Sequence, residues 1–444
     1  MALLSEVEAK AIIDRVLARS KAEHCQVFLN EGSRGNIRFA RNAVSTSGSM
    51  HNSSLAVTAS FGKRSGTSSI NSFDDASIAR MVARAEELAH LAPEDPEFMP
   101  PLGPQKYATG NGWAQSTINL DPERRAAIAQ AGLDAAKAKG CVAAGYLDHS
   151  DGISAMGNSK GLFAYDHSTS AGYSVTMRTE DGLGSGFGTT DSHDASRLDV
   201  AGVSRIAAEK AVASHETRAV EPGKYTVILE PAAAVDLVQY LLLSMDARSA
   251  EEGRSFLSKQ GGTTRIGEKL LDERVNIYSD PLDPTGPATT WNGDGRPLER
   301  TSWIEKGVVK NMSYSRFWAA KRNVPALSGP ANFLMSGGTA STEELIRGTE
   351  RGILVTRLWY IRPVDPQTLL FTGLTRDGTF YIENGKIAYA VKNFRFNESP
   401  VIMLNNVDAL GAPIRVRNAE TALASVIPPM RIRDFTFSSL SDAV

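Results

Sequence analysis

Cysteine is scarce: 444 residues contain two, Cys25 and Cys141. Two thiols cannot staple a chain of this length, so a disulfide framework is excluded and a reducing cytoplasm is the expected compartment. An excess of either charge is also missing. Lys and Arg total 48 against 50 Asp and Glu, a net of −2, with no basic run. No nucleic-acid partner is expected, because displacing counterions from phosphates needs a basic face. Long apolar runs are absent too. The greasiest stretch, Val227 to Met245, carries Glu230, Pro231 and Asp236, which a bilayer-crossing helix rarely tolerates. The opening residues have no uninterrupted apolar segment, so neither a secretion signal nor a membrane contact is expected.

Standard catalytic signatures are missing as well. The run Asp181-Gly182-Leu183-Gly184-Ser185-Gly186-Phe187-Gly188 does not match G-x-G-x-x-G, has no phosphate-binding lysine and leads into no apolar helix. It reads as a flexible turn between strands. No G-x-S-x-G elbow occurs. Among the seven histidines, no two are spaced to aim both imidazoles from one helical face. His149 with Asp148 and Asp151, and His193 with Asp191 and Asp194, could in principle hold a cation. Both groups lie in polar text that reads first as solvated turns. Glu251 and Glu252 are adjacent, which points them apart on a helix and suggests a solvated face.

What is present is a core-forming chain, 42% hydrophobic and 22% charged, too long for one ordinary core. Ser5 and Glu8 form a capping box ahead of Ala9, Ile12, Ile13, Val16 and Leu17 at helical spacing. Strand-like segments follow at Cys25–Leu29, Asn36–Phe39 and Leu55–Phe61, broken by Gly, Ser and Asn. A helix opened by Asp74-Asp75 comes next, then five prolines between 93 and 104 that stop regular structure. The order returns: a helix capped by Asp121-Pro122, strand-like runs at Val142–Leu147, Leu162–Tyr165 and Tyr173–Met177, and a helix from near Asp194 carrying Val203, Ile206, Ala207 and Ala211 inward. From about Glu221 the texture changes to one apolar helix, Ala232–Met245, and many strands, with a hairpin at Glu383-Asn384-Gly385-Lys386. The expected fold class is α+β: a duplicated helix–sheet–helix N-terminal half and a β-rich C-terminal domain. The expected units are 1–91, a Pro-rich connection 92–118, 119–220, and 221–444.

The back half resembles the TldD/PmbA family of bacterial proteolytic proteins, known for modulators of DNA gyrase and for microcin maturation. The matching text is Asn332-Phe333-Leu334, Gly337-Gly338, Ser341-Thr342-Glu343-Glu344-Leu345-Ile346 and Gly352-Ile353-Leu354-Val355. Asp365-Pro366-Gln367-Thr368, Phe371-Thr372-Gly373 and Tyr381-Ile382-Glu383-Asn384-Gly385-Lys386-Ile387 continue it. In that family the cutting subunit, TldD, carries H-E-x-x-x-H on the helix after a strand like Tyr225–Leu229, with a later cysteine as a further zinc ligand. Here the corresponding helix reads Gln239-Tyr240-Leu241-Leu242-Leu243-Ser244, and no cysteine follows Cys141. Gln239 and Ser244 stand where the histidines belong and Tyr240 where the base belongs.

The resemblance therefore implies the TldE (PmbA)-like branch: no catalytic residue and no metal in this chain, with zinc in a TldD-like partner subunit. The implied role is to complete the chamber of a heterodimeric metalloprotease acting on unstructured peptides. A peptide would lie along Leu369–Glu383, with Asn332, Phe371, Gly373, Glu383 and Asn384 as candidate contacts. Two other readings remain open at this level. One is a self-sufficient hydrolase, perhaps a homodimer, with an unrecognised site; the other is a non-enzymatic peptide-binding scaffold.

Overall fold

The structure, a computed structural model, describes residues 3–418, 420–421 and 423–441. Its N-terminal half is built twice over. Helix α1 (Glu6–Leu17), strands β1 (His24–Ala40), β2 (Ala43–Phe61) and β3 (Arg64–Ile70) and helix α2 (Asp75–Leu91) make the first copy. After the connection and a helical turn, α3 (Gln115–Ile118), the second copy is α4 (Pro122–Ala138), β4 (Cys141–Asn158), β5 (Phe163–Thr179), β6 (Ser185–Ser192) and α5 (Val200–Ala213). Each expected cap is in place. Ser5 and Glu8 close a capping box, and Asp74 and Asp121 accept from backbone N–H groups three residues on.

The two copies share one antiparallel sheet, in the order β3-β2-β1-β4-β5-β6. β1 pairs with β4 from Gln26–Asn158 to Phe39–Gly145, so the two units join through their central strands. The helices cover the outer face in two pairs. Ala9, Ile12, Ile13 and Val16 of α1, with Ile78, Met81, Val82 and Ala85 of α2, bury Val27, Leu29, Leu55 and Val57. Ala129, Leu133 and Ala136 of α4, with Ala207, Ala208 and Ala211 of α5, bury Ile37, Phe39, Leu147, Tyr173 and Val175.

Several expectations from the sequence differ from the structure. The strand-like fragments are parts of strands up to 19 residues long, because pairing on both sides carries β1 through Gly32 and Gly35. The second helix of the repeat starts at Val200, capped by Asp199, whereas Asp194 caps only a 3₁₀ turn, Ala195–Arg197. On that helix Val203 is half-buried and Ile206 points outward, because the face against β6 is made of alanines.

The glycine-rich run explains those alanines. Gly184, Gly186 and Gly188 lie under α5, where an added Cβ would come 2.1, 2.0 and 2.3 Å from the carbonyl oxygens of Ala211, Ala207 and Val203. Only Asp181-Gly182 is a turn; Gly186 and Gly188 belong to β6 itself. The run is a packing surface that lets a helix backbone rest on a strand.

The C-terminal half holds two sheets. Its larger sheet uses β7 (Thr217–Arg218), β8 (Lys224–Leu229), β13 (Arg351–Asp365), β14 (Leu370–Glu383), β15 (Lys386–Val391), β16 (Phe394–Glu398), β17 (Val407–Leu410) and β20 (Met430–Leu440). Pairing runs β13-β8-β20-β16-β14, and β14 returns to β13, so five strands close a ring. The smaller sheet runs β11-β10-β9-β12-β19-β18, from strands Val308–Val309, Thr301–Glu305, Ile277–Ser279, Phe333–Met335, Ser425–Ile427 and Ile414–Arg415. The Asn384-Gly385 turn has φ of 52° and 74°, as that dipeptide suggests. Strand β14 is interrupted at Asp377-Gly378 by positive φ of 57° and 114°. Among the described residues no helix is long and apolar enough to cross a membrane.

Gly186→Ala is expected to destabilise the chain by roughly 1–3 kcal/mol, since the methyl group has no room without moving α5. Gly103→Ala, whose methyl meets no atom within 4 Å, is expected to be near neutral. Chemical denaturation of the two variants checks this; equal midpoints would contradict the packing argument.

Candidate functional site

The inner face of the six-stranded sheet looks onto the C-terminal half across a cleft of about 1040 Å³. Its walls include Asp166, Asp191 and His193 from the sheet side and Asp246, Arg296, Arg415 and Arg417 from the other. A second cavity of about 650 Å³ is lined by Arg38, Tyr146, Arg357 and Trp359. Arg417 and Thr421 line both, and Arg417 reaches across to Asp148 at 2.6 Å. Arg415 makes a similar crossing to Asp191 at 2.8 Å. Smaller concavities of about 520 and 450 Å³ continue over β4, β1 and β2. Burial pushes the carboxyl of Asp166, on the cleft wall, up to about 6.

Behind this cleft runs α6 (Pro231–Leu243), which follows β8 with Pro231 in its first turn, where the missing N–H costs nothing. Every residue in it is buried except Tyr240 and Leu243, so it is a core helix on nearly all sides. Its polar residues, Asp236, Gln239 and Tyr240, fall at i, i+3 and i+4 on one face. All three are taken up by Asn418, Glu420, Thr421 and Leu423. Asp236 accepts from Asn418 Nδ2 at 2.8 Å and Thr421 Oγ1 at 2.9 Å. Gln239 accepts from the Leu423 N–H at 3.0 Å and donates to the Glu420 carbonyl at 3.3 Å. The Tyr240 hydroxyl donates to the Glu420 carboxylate, which also meets Arg362 at 3.2 Å, and the Tyr240 ring stacks on Phe371 at 4.8 Å. The phenol is held well above its usual pKa by burial and by the Glu420 carboxylate. Ser244 is apart from this group, half-buried at the helix C-cap.

The donors at these positions are an amide, a phenol and a hydroxyl, and two of them are already engaged. They do not fit a zinc ion, which is held by thiolate, imidazole and carboxylate groups. Among the described residues no three His, Cys, Asp or Glu side chains gather closely enough to hold a metal ion. Strand alternation splits the His149 group. Asp148 faces the cleft toward Arg417, whereas His149 lies against buried Arg125 at 3.0 Å, and Asp151 pairs with His167 at 2.7 Å. In the other group Asp194 caps a turn, Asp191 holds Arg415, and burial together with Arg415 and Arg197 lowers the His193 pKa. Glu251 is not on a solvated face: its side chain is 11% exposed and accepts from Tyr314 Oη, Trp318 Nε1 and Arg322 Nε.

Of the candidate peptide contacts, only Phe371 stands beside α6. Asn332 is fully buried and clamps a loop, accepting from the Asp280 N–H at 2.8 Å and donating to the Asp280 and Gly286 carbonyls. Gly373 lets Phe396 pack close, its added Cβ falling 2.7 Å from that ring. Glu383 and Asn384 are exposed at the β14–β15 hairpin. β14 is paired to β13 on one edge and to β16 and β15 on the other, so a peptide cannot join it there as an added strand. Asp236, Glu420 and Arg417 were not singled out as site residues from the sequence. A carboxylate inside an otherwise apolar helix was the one available signal.

Burial pushes Asp236 up to about 6 from an ordinary 3.8, against the pull of its hydrogen bonds from Thr421 and Asn418. A raised folded-state pKa means the native chain binds this proton more tightly than the unfolded chain. Its stabilising effect is complete below the ordinary value and is lost as pH rises through about 6. Asp236→Asn is therefore expected to raise the melting temperature relative to the parent more at about pH 7 than at about pH 4. Thermal melts of both proteins at the two pH values check this; a pH-independent difference would contradict it.

Three family descriptions match the chain in sequence: PmbA/TldA metallopeptidase domain 1 over residues 25–89, the central domain over 116–214 and the C-terminal domain over 222–439. Metalloprotease PmbA of Escherichia coli O157:H7 is 22% identical across 97% of this chain and 98% of its own length. A metalloprotease of Methanothermobacter thermautotrophicus is 25% identical over 61% of this chain and 62% of its own length. Among solved structures, TldE from Thermococcus kodakarensis superposes with a TM-score of 0.86 at 18% identity, covering 97% of this chain and 99% of that one. A Thermotoga maritima protein described as a modulator of a DNA gyrase gives 0.85 at 17% identity, covering 97% and 100%. These two likenesses concern the fold, while the family descriptions match most of the sequence in the order of its domains: the chain belongs to the PmbA/TldD family.

Proposed function

We propose that this chain is a TldE-like, non-catalytic subunit that forms part of the wall of a peptide chamber and works beside a zinc-bearing relative of the same fold. The observation that carries the reading is the condition of α6. Of the positions expected to bear the family's metal motif, Gln239, Tyr240 and Ser244, the first two are fastened, together with Asp236 on the same face, to Asn418, Glu420, Thr421 and Leu423 of the chain itself. A catalytic zinc site needs an open position for water, and a helix packed on nearly every side offers none here. The names of the metalloprotease relatives belong to those proteins; this chain shares their family and lacks the donors at the corresponding positions.

The cleft suits a holding role. Asp166, Asp191, Arg296, Arg415 and Arg417 give it charges of both signs, and serines and glycines on the sheet side leave backbone accessible to an extended chain. The compartment in this proposal is the cytoplasm, in keeping with two buried free thiols; burial pushes that of Cys25 up to about 11.

Expressed alone, this chain is expected to leave unstructured peptides such as denatured casein intact. Mixed with its nearest H-E-x-x-x-H relative, it is expected to co-elute on a sizing column and to raise cleavage by that relative, through an interface of about 2,000 Å² or more. Equal cleavage by the relative alone, or separate elution, would refute the subunit role.

A further inference from the structure

We propose that the free edge of β2, residues Thr46–Ser54, is a docking edge on which an extended, uncharged peptide segment adds as a seventh strand. The inference rests on the peptide-chamber reading above and names the surface that would do the binding. β2 pairs with β1 along its whole length, but β3 covers only its second half, Leu55–Phe61. Among the described residues no other strand pairs with 46–54 on the side away from β1; the contacts there are Arg125 donating to the Gly48 carbonyl at 3.4 Å and to Ser49 Oγ at 2.9 Å, and Ser53 Oγ donating to the Asn71 carbonyl at 3.4 Å. Strand edges left open in this way are usually guarded by lysine, proline or a bulge. Here the one irregularity of the β1–β2 ladder falls at Arg38/Phe39, near the hairpin end, and 46–54 reads Thr-Ser-Gly-Ser-Met-His-Asn-Ser-Ser with no Lys, Asp, Glu or Pro.

The repeat shows what such an edge accepts. β5 is the counterpart of β2, and its first half is likewise left uncovered by β6, which pairs only with 171–178. That edge is not empty. The irregular connection passes along it: Thr169 N–H donates to the Gly112 carbonyl at 2.9 Å, Ala114 N–H to Thr169 Oγ1 at 3.0 Å, and the Trp113 ring stacks on His167 at 5.4 Å. In one copy of the unit, then, an irregular segment lies along the edge, and in the other, among the described residues, no such segment lies along 46–52.

Position selects a peptide over a second copy of the chain. Met50 and Asn52 line the concavities that continue from the cleft, so every second side chain of a strand added at 46–54 would project over the same wall. A stretch with no Lys, Arg, Asp or Glu of its own selects main chain rather than sequence, which suits a protein handling unstructured peptides of varied composition.

Hydrogen–deuterium exchange on the purified chain tests this, with an uncharged peptide of about ten alternating valines and serines as the probe. The peptide is expected to slow exchange within 46–54 by about tenfold or more at saturation. N-methylation of every second peptide residue in one phase is expected to weaken binding by about tenfold or more, and in the other phase to leave it unchanged, because a strand edge reads alternate N–H groups. Protection elsewhere on the chain would overturn the proposal, as would equal binding of both N-methylated phases. Protection of 46–54 that grows with protein concentration in the absence of peptide would assign the edge to a second copy instead. The readout needs neither the zinc-bearing relative nor cleavage. Unchanged exchange at 46–54 alongside partner-dependent proteolysis removes the docking edge alone; protection there without partner association removes the subunit role alone.

Discussion

The pairing of β1 with β4 is the constraint on which the rest depends. Two units that could each have closed around a three-stranded sheet are joined instead through their central strands, from Gln26–Asn158 to Phe39–Gly145. The apolar residues then fall at opposite ends of the outer face. One helix pair covers Val27, Leu29, Leu55 and Val57, and the other covers Phe39, Tyr173, Val175 and Met177. Between them the strands have polar or small side chains on both faces, as at Gly32, Arg34, Gly35, Asp151 and Gly152. Strand structure survives there because every backbone group in the middle of β1 is paired on both sides, whatever its side chains contribute.

That geometry leaves the inner face free, and a small number of charged contacts set the C-terminal half across from it. Arg417 meets Asp148, Arg415 meets Asp191, Lys210 meets Glu230 at 2.5 Å, and Asp377 accepts from Ser185 at 2.6 Å while facing Arg357 at 3.0 Å. Burial lowers the Arg357 pKa, and its guanidinium lies 4.1 Å from the centre of the Phe187 ring, on the glycine-rich strand. Ion pairs in such places add little net stability over apolar contacts, but losing one partner strands a desolvated charge. They act as fixed spacers, holding two halves at a set distance around a cavity that apolar packing would otherwise have closed.

The same division of labour appears at α6. Its apolar sides make it part of the C-terminal core, and its single polar face is directed to a segment about 180 residues later in the chain. Asp236 is the most costly element of that contact, a carboxyl buried against two neutral donors, and the segment over α6 is positioned by it together with Gln239 and Tyr240.

Local chemistry was legible in the sequence. Ser5, Asp74 and Asp121 cap the helices expected of them, Asn384-Gly385 turns the hairpin, the repeat of element order is present, and the family text of the back half marks the chain as a PmbA/TldD relative. These features depend on interactions within a few residues, or on a pattern carried whole in the text. Strand length, the role of the glycine run and the engagement of α6 were not legible. β1 continues through Gly32 and Gly35 only because neighbours on both sides supply its hydrogen bonds, and Gly184, Gly186 and Gly188 have meaning only beneath α5. Glu251 looked solvated until Tyr314, Trp318 and Arg322 were brought to it. The sequence by itself determined the elements and the family; which edges are open, which charges face each other and what covers α6 were decided by tertiary structure, because those contacts join residues far apart in the chain and no local pattern encodes them.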